Sequence, residues 1–134
     1  MSQIYYKNLS GWGRYPQKHC ACWDIHPGHQ QKWQETDFEK ISIRGMGRSY
    51  GDASLGDKKM LVLSSQWEDK IVSFDDKTGI IKAYAGISLE KILENSIPHG
   101  WFLPVSPGTR FVSLGGAVAS NVHGKNQHCV VSVG

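Results

Sequence analysis

A short β-branched run, Ile41-Ser42-Ile43, leads directly into Arg44-Gly45-Met46-Gly47-Arg48-Ser49-Tyr50-Gly51-Asp52. A strand that runs straight into a glycine-rich stretch must turn there and leave its backbone bare. Glycine reaches φ > 0 and sets no Cβ against an approaching ligand. Successive N–H groups in such a turn form a concavity that binds anions. Arg44, Arg48 and Ser49 add donors suited to phosphate oxygens, the arginines bidentately. The loop reads as a holder of a pyrophosphate, and the competing reading is an ordinary structural turn.

The loop is not the fingerprint of a doubly wound dinucleotide fold. That pattern needs G-x-G-x-x-G opening a helix, with an acidic residue about 20 positions on. Here Tyr50 stands where the third glycine is required, and Gly51-Asp52-Ala53 continues the turn. No Gly-Lys-Ser/Thr follows, so the P-loop pattern fails as well.

Further motifs recur along the chain. Leu9-Ser10-Gly11-Trp12-Gly13-Arg14 precedes the loop, and Pro107-Gly108-Thr109-Arg110, Gly115-Gly116-Ala117 and Ser120-Asn121-Val122-His123-Gly124-Lys125-Asn126 follow it. Their order and spacing resemble the flavin-binding half of the FAD-linked oxidases of the vanillyl-alcohol oxidase superfamily, in the branch that oxidises sugar derivatives and sugar alcohols. The resemblance spans residues 9–134 and is weakest over 17–40.

The resemblance implies an α+β fold, the N-terminal part of a two-lobed PCMH-type FAD-binding domain. Residues 1–134 would form that domain incompletely, with a first lobe over 17–100, the start of a second over 101–134, and the substrate domain absent. It implies FAD as cofactor, with Arg44, Gly45, Met46, Gly47, Arg48, Ser49, Tyr50, Gly51 and Asp52 as one contact set. A second set is Gly108, Ser113, Leu114, Gly115, Gly116, Ser120, Asn121, Val122 and His123. Asn121 and Gln127 stand where nearer relatives often carry Asp and His, which leaves the substrate open. Many members join a histidine covalently to the flavin at the position here taken by Arg48. Arginine stays protonated and offers no nucleophilic nitrogen, so FAD is expected to be held non-covalently.

His123 and Lys125 are candidate neighbours of the flavin ring. A charge at Lys125 would favour the anionic reduced flavin, and the alternative for each is a structural or surface role. Trp12 would cover the flavin or the substrate mouth, although burial alone also explains a tryptophan there. The expected function is an FAD-binding fragment of a flavin-dependent oxidoreductase oxidising a CH–OH group of a sugar or polyol. The base for the alcohol proton would lie in the missing substrate domain, leaving the fragment alone inactive. The alternative is a stand-alone, non-catalytic module of the same fold that has lost flavin.

Composition narrows the partners. The chain has 134 residues, 40% hydrophobic and 20% charged, with a net charge of +3. That is ordinary for one soluble domain, and no clustered basic run suggests nucleic acid. No apolar stretch approaches the ~20 residues of a membrane span. Residues 1–6 lack the basic start and apolar core of a signal peptide, so a cytoplasmic location is expected. Cys20, Cys22 and Cys129 are an odd set without a secretory signal, which argues against a disulfide framework. Cys20-Ala21-Cys22 places both thiols on one face of an extended segment. His19, His26 and His29 lie nearby, but the usual zinc spacing is missing, so buried thiols are expected and no metal.

Strands are expected at 17–24, 41–43 and 60–63, and 71–74 pairs with 80–85 as a hairpin around 75–79. Residues 29–40 are polar and helix-compatible, with Trp33 and Phe38 as inward anchors. Ser88 N-caps an amphipathic helix carrying Leu89, Ile92, Leu93 and Ile97, ended by Pro98 and Gly100. The small residues of 111–122 permit close backbone approach. Residues 128–133 have strand character, and an unpaired edge there would drive self-association through 111–134.

Overall fold

The computed structural model describes residues 3–28 and 32–123, which divide into two compact units, 1–68 and 69–134. The first unit is a four-stranded sheet of β1 (Tyr5–Ser10), β2 (Gln17–Asp24), β3 (Lys40–Arg44) and β4 (Met60–Ser64), in spatial order β1-β2-β4-β3. β4 runs parallel to both β2 and β3, and β1 pairs antiparallel with β2. A parallel neighbour can be reached only by a crossover, so 25–39 and 45–59 must each traverse a face of the sheet.

Each crossover supplies the cover of one face. Ala21, Trp23, Leu61 and Leu63 cluster on one side, with Ile25, Trp33 and Phe38 packed on them. Leu9, Cys20, Cys22 and Val62 cluster on the other side, closed by Leu55 from the second crossover. β4 is therefore buried on both faces, as its unbroken Leu61-Val62-Leu63 requires. β3 is an edge strand whose exposure inverts its apparent pattern. Ser42 is buried while Ile43 is 69% exposed.

The strands expected at 17–24, 41–43 and 60–63 are present. Residues 32–40 hold only a short 3-10 turn, Lys32–Glu35, where a longer helix was compatible with the sequence. Trp33 and Phe38 nevertheless face inward as anchors. β1 has no counterpart among the expected elements. Its exposed face, including Tyr6, hides the alternation that marks a half-buried strand.

The second unit begins with the hairpin β5 (Ile71–Asp75) and β6 (Ile80–Ala83), with a register shift between Ile71 and Ser73. Two helices follow, α1 (Leu89–Ser96) and α2 (Leu114–Ala119), around a core of Ile87, Leu89 and Ile92. Ser88 caps α1, its Oγ accepting from Lys91 N at 3.1 Å. A 3-10 turn, Ile97–His99, and left-handed Gly100 end that segment. α2 was not expected, because its glycines argue against a helix interior. The fixing contacts are reciprocal: Leu89 N donates to Val112 O at 2.9 Å and Leu114 N to Ile87 O at 2.8 Å. The caps Ser88 and Ser113 thus lie back to back as an antiparallel bridge.

Candidate functional site

The 44–52 loop leaves the carboxyl end of β3 and begins the crossover to β4. Gly47 and Gly51 take φ of +68° and +57°, the left-handed region that glycine adopts without strain. None of the backbone N–H groups of 46–51 donates a hydrogen bond among the described residues, whereas two of its carbonyls are engaged. Ser49 O accepts from Trp12 N at 3.0 Å and Met46 O from the Arg48 side chain at 3.2 Å. The loop therefore leaves its donors free while Met46 O and Ser49 O are taken up within the protein, a polarity that suits an anion site.

Segment 10–14 braces this loop. A Cβ at Gly11 would stand 2.6 Å from the carbonyl oxygens of both Ser49 and Gly51, so only glycine permits the approach. Between the two segments lies a cavity of about 480 Å³, lined by Ser10, Gly11, Trp12 and Arg14 on one side and Arg44, Gly47 and Arg48 on the other. The Arg48 guanidinium lies over the Trp12 ring, 5.6 Å from its centroid, a cation–π contact.

Arg44 is half-buried behind the loop. Its Nη1 donates to Ser54 Oγ at 3.1 Å and its Nη2 to Ser10 O at 2.9 Å. Burial is the main cause pulling its pKa below the ordinary value, and the charge of Arg48 adds to it. Asp52 is tied to Lys18, 3.0 Å away, and Lys18 also reaches Asp57 at 3.0 Å. The Lys18 hydrogen bond holds the Asp52 carboxyl below its usual range. Arg44 and Asp52 thus fasten the loop to the sheet. Tyr50 is 83% exposed at its crest.

The second expected set lies in the second unit. The N–H groups of Leu114, Gly115 and Gly116 donate to Ile87 O, Ala85 O and Ser113 Oγ respectively. Those of Ser120, Asn121 and Val122 donate to Gly116, Val118 and Ala117 carbonyls. These donors are engaged within the unit, and Gly115 packs against Ala85, where a Cβ would stand 3.1 Å from its carbonyl oxygen. Gly108 is exposed, and Asn121 has φ of +45°. His123 is exposed with Nδ1 3.2 Å from Asn121 O. Lys125, Gln127, Cys129 and the strand expected at 128–133 lie outside the described residues.

Cys20 and Cys22 are free and buried on one face of β2, in the apolar cluster with Leu9 and Val62. Among the described residues no three His, Cys, Asp or Glu side chains converge as a metal site. No helix there is long and apolar enough to cross a membrane. Sequence reasoning placed Ser10 and Arg14 in the 9–14 motif without giving either a role, and passed over Lys18 and Ser54. Only the paired glycines of 11–13 hinted that segment 10–14 approaches another backbone.

The sequence profile described as FAD binding domain matches residues 33–131. Decaprenylphosphoryl-beta-D-ribose oxidase of Mycolicibacterium smegmatis is 42% identical over 94 residues, covering 70% of this chain and 20% of that protein. D-lactate dehydrogenase of Anaerostipes hadrus is 30% identical over 74 residues, covering 55% of this chain and 15% of that protein. The chain thus spans about one-fifth or less of these relatives. Among solved structures, cholesterol oxidase from B. sterolicum superposes with a TM-score of 0.75 at 20% identity, over 92% of this chain and 25% of that one. That likeness establishes the mixed helix-and-strand fold. The free-donor loop, the left-handed glycines and the cationic cavity fit a dinucleotide diphosphate, and the chain belongs to the FAD-binding-domain family, with FAD as its cofactor.

Proposed function

We propose that this chain is the FAD-binding part of a flavin-dependent oxidoreductase that oxidises a CH–OH group of a sugar or polyol. The observation that carries the reading is the 46–51 stretch, whose N–H groups are unengaged among the described residues beside an arginine-lined cavity. Such a concavity holds the diphosphate, with Arg48 and Ser49 as side-chain donors. Gly45, Met46, Tyr50 and Gly51 contribute accessible backbone, buried Gly47 makes the left-handed turn against the Arg44 guanidinium, and Arg44 and Asp52 fix the loop. When bound, FAD supplies the acceptor for the carbinol hydrogen.

In the second unit, Gly108, Leu114–Gly116 and Ser120–His123 contribute surface more than backbone donors, because six of the nine N–H groups of Gly108, Ser113–Gly116 and Ser120–His123 are already bonded, and Ser113 is buried as the cap of α2. Ribose, lactate and cholesterol, named in the relatives, each carry a secondary hydroxyl. The sugar assignment rests on the ribose oxidase, with which identity is 42%.

Reconstitution with FAD tests the reading. The chain should retain a flavin absorbance band through gel filtration, and acid precipitation should leave the colour in the supernatant, since Arg48 cannot form the covalent link. A chain that stays colourless at saturating FAD would sink the proposal, and colour in the washed pellet would sink its non-covalent part.

A further inference from the structure

The cavity beside the glycine loop concentrates positive charge without an internal partner. Arg14, Arg44 and Arg48 all line it, and no carboxylate does. Among the described residues none of these three arginines forms an ion pair. Arg44 is committed to Ser10 O and Ser54 Oγ, and Arg48 is steered by Met46 O and the Trp12 ring. Arg14 comes from a different segment, and its backbone is pinned by donation to Gly11 O at 3.1 Å. Like charges gathered at one cavity repel each other until an anion joins them.

We infer that segment 10–14 forms the second half of an oxyanion site, in which Arg14 and Arg48 pair directly with a phosphate-type group. Arg44 stands behind them as a fixed charge, and Gly11 lets the two segments close around the ligand. Arginine suits this role because its planar fork matches two oxygens of one phosphate. Two sources could supply the group: the diphosphate of FAD, or the phosphate of a separate ligand. The first source rests on the FAD reading above, whereas the oxyanion site itself does not.

Calorimetric titration of the whole chain with inorganic pyrophosphate and with FAD tests the inference. The variants are Arg14→Gln, Arg14→Lys and, as a charge control at the opposite end of β3, Lys40→Gln. Pyrophosphate should bind the parent and Lys40→Gln alike and Arg14→Gln about tenfold more weakly, the loss of one charged hydrogen-bonding contact. Arg14→Lys, which keeps the charge, should recover part of that loss. A parallel loss for FAD assigns the site to the cofactor's diphosphate, and unchanged FAD affinity assigns it to a separate phosphorylated ligand. Binding of pyrophosphate but not FAD by the parent would leave this site standing while the FAD reading fails. Pyrophosphate affinity that is absent in the parent, unaffected by Arg14→Gln, or equally reduced by Lys40→Gln would overturn the inference.

Discussion

The guanidinium of Arg44 fills the space that a side chain at Gly47 would need: a Cβ built on Gly47 would stand 2.8 Å from Arg44 Cζ. Arg44 is in turn bonded to Ser10 O and Ser54 Oγ, so it cannot move aside without leaving those groups unpaired. The glycine loop, the segment before β2 and the crossover to β4 therefore meet at one side chain.

Gly47→Ala should lower the unfolding free energy by about 1–3 kcal/mol, through left-handed backbone strain and the clash with Arg44. Urea unfolding should show a lower midpoint at unchanged slope, and FAD affinity should fall with it. A midpoint equal to the parent's would show that the loop relaxes freely.

Gly11→Ala probes the brace from the other side. Its Cβ would meet two backbone carbonyl oxygens at 2.6 Å, neither of which can rotate away as a side chain could. A loss of about 2 kcal/mol or more is expected, with amide exchange of Trp12 accelerated. Retention of both stability and slow exchange would argue that segment 10–14 does not clasp the loop.

Ser113→Ala removes the cap of α2, whose Oγ accepts from Gly116 N at 3.1 Å. The expected cost is about 1 kcal/mol. Because that hydroxyl is already engaged, the loss should be the same with and without saturating FAD. A markedly larger loss in the FAD-loaded protein would make Ser113 a direct cofactor ligand.

Tyr5 should resist ionisation while the chain is folded. Burial is the main cause that raises its pKa, and its hydrogen bond to Asp24 Oδ1 at 2.8 Å adds to it. With a raised folded pKa, its contribution to stability is complete below the unfolded value of about 10 and is lost as pH climbs above it. Absorbance titration should show one of the five tyrosines ionising late, and Tyr5→Phe should abolish that late phase. An ordinary midpoint for all five would refute the assignment.

Much of the fold was legible locally. The unbroken apolar run of β4, the two thiols on one face of β2, the hairpin around 75–79 and the Ser88 cap follow from periodicity and turn chemistry acting within a few residues. The resemblance carried by the order of the glycine motifs implied FAD, and the family match gives FAD as the cofactor. What the local pattern could not reveal depends on residues far apart in the chain. Ser10 and Arg44 are separated by 34 positions, as are Lys18 and Asp52, and no periodicity couples them. β1 is a strand because β2 offers it an edge, and α2 is a helix despite its glycines because Leu114 and Gly115 find acceptors at Ile87 and Ala85. The sequence by itself determined where the chain turns on bare glycine backbone after β3. Tertiary structure alone decided that Arg44 and Asp52 tie the loop to the sheet while Arg14 and Arg48 line the cavity, because donors are apportioned only when distant segments pack.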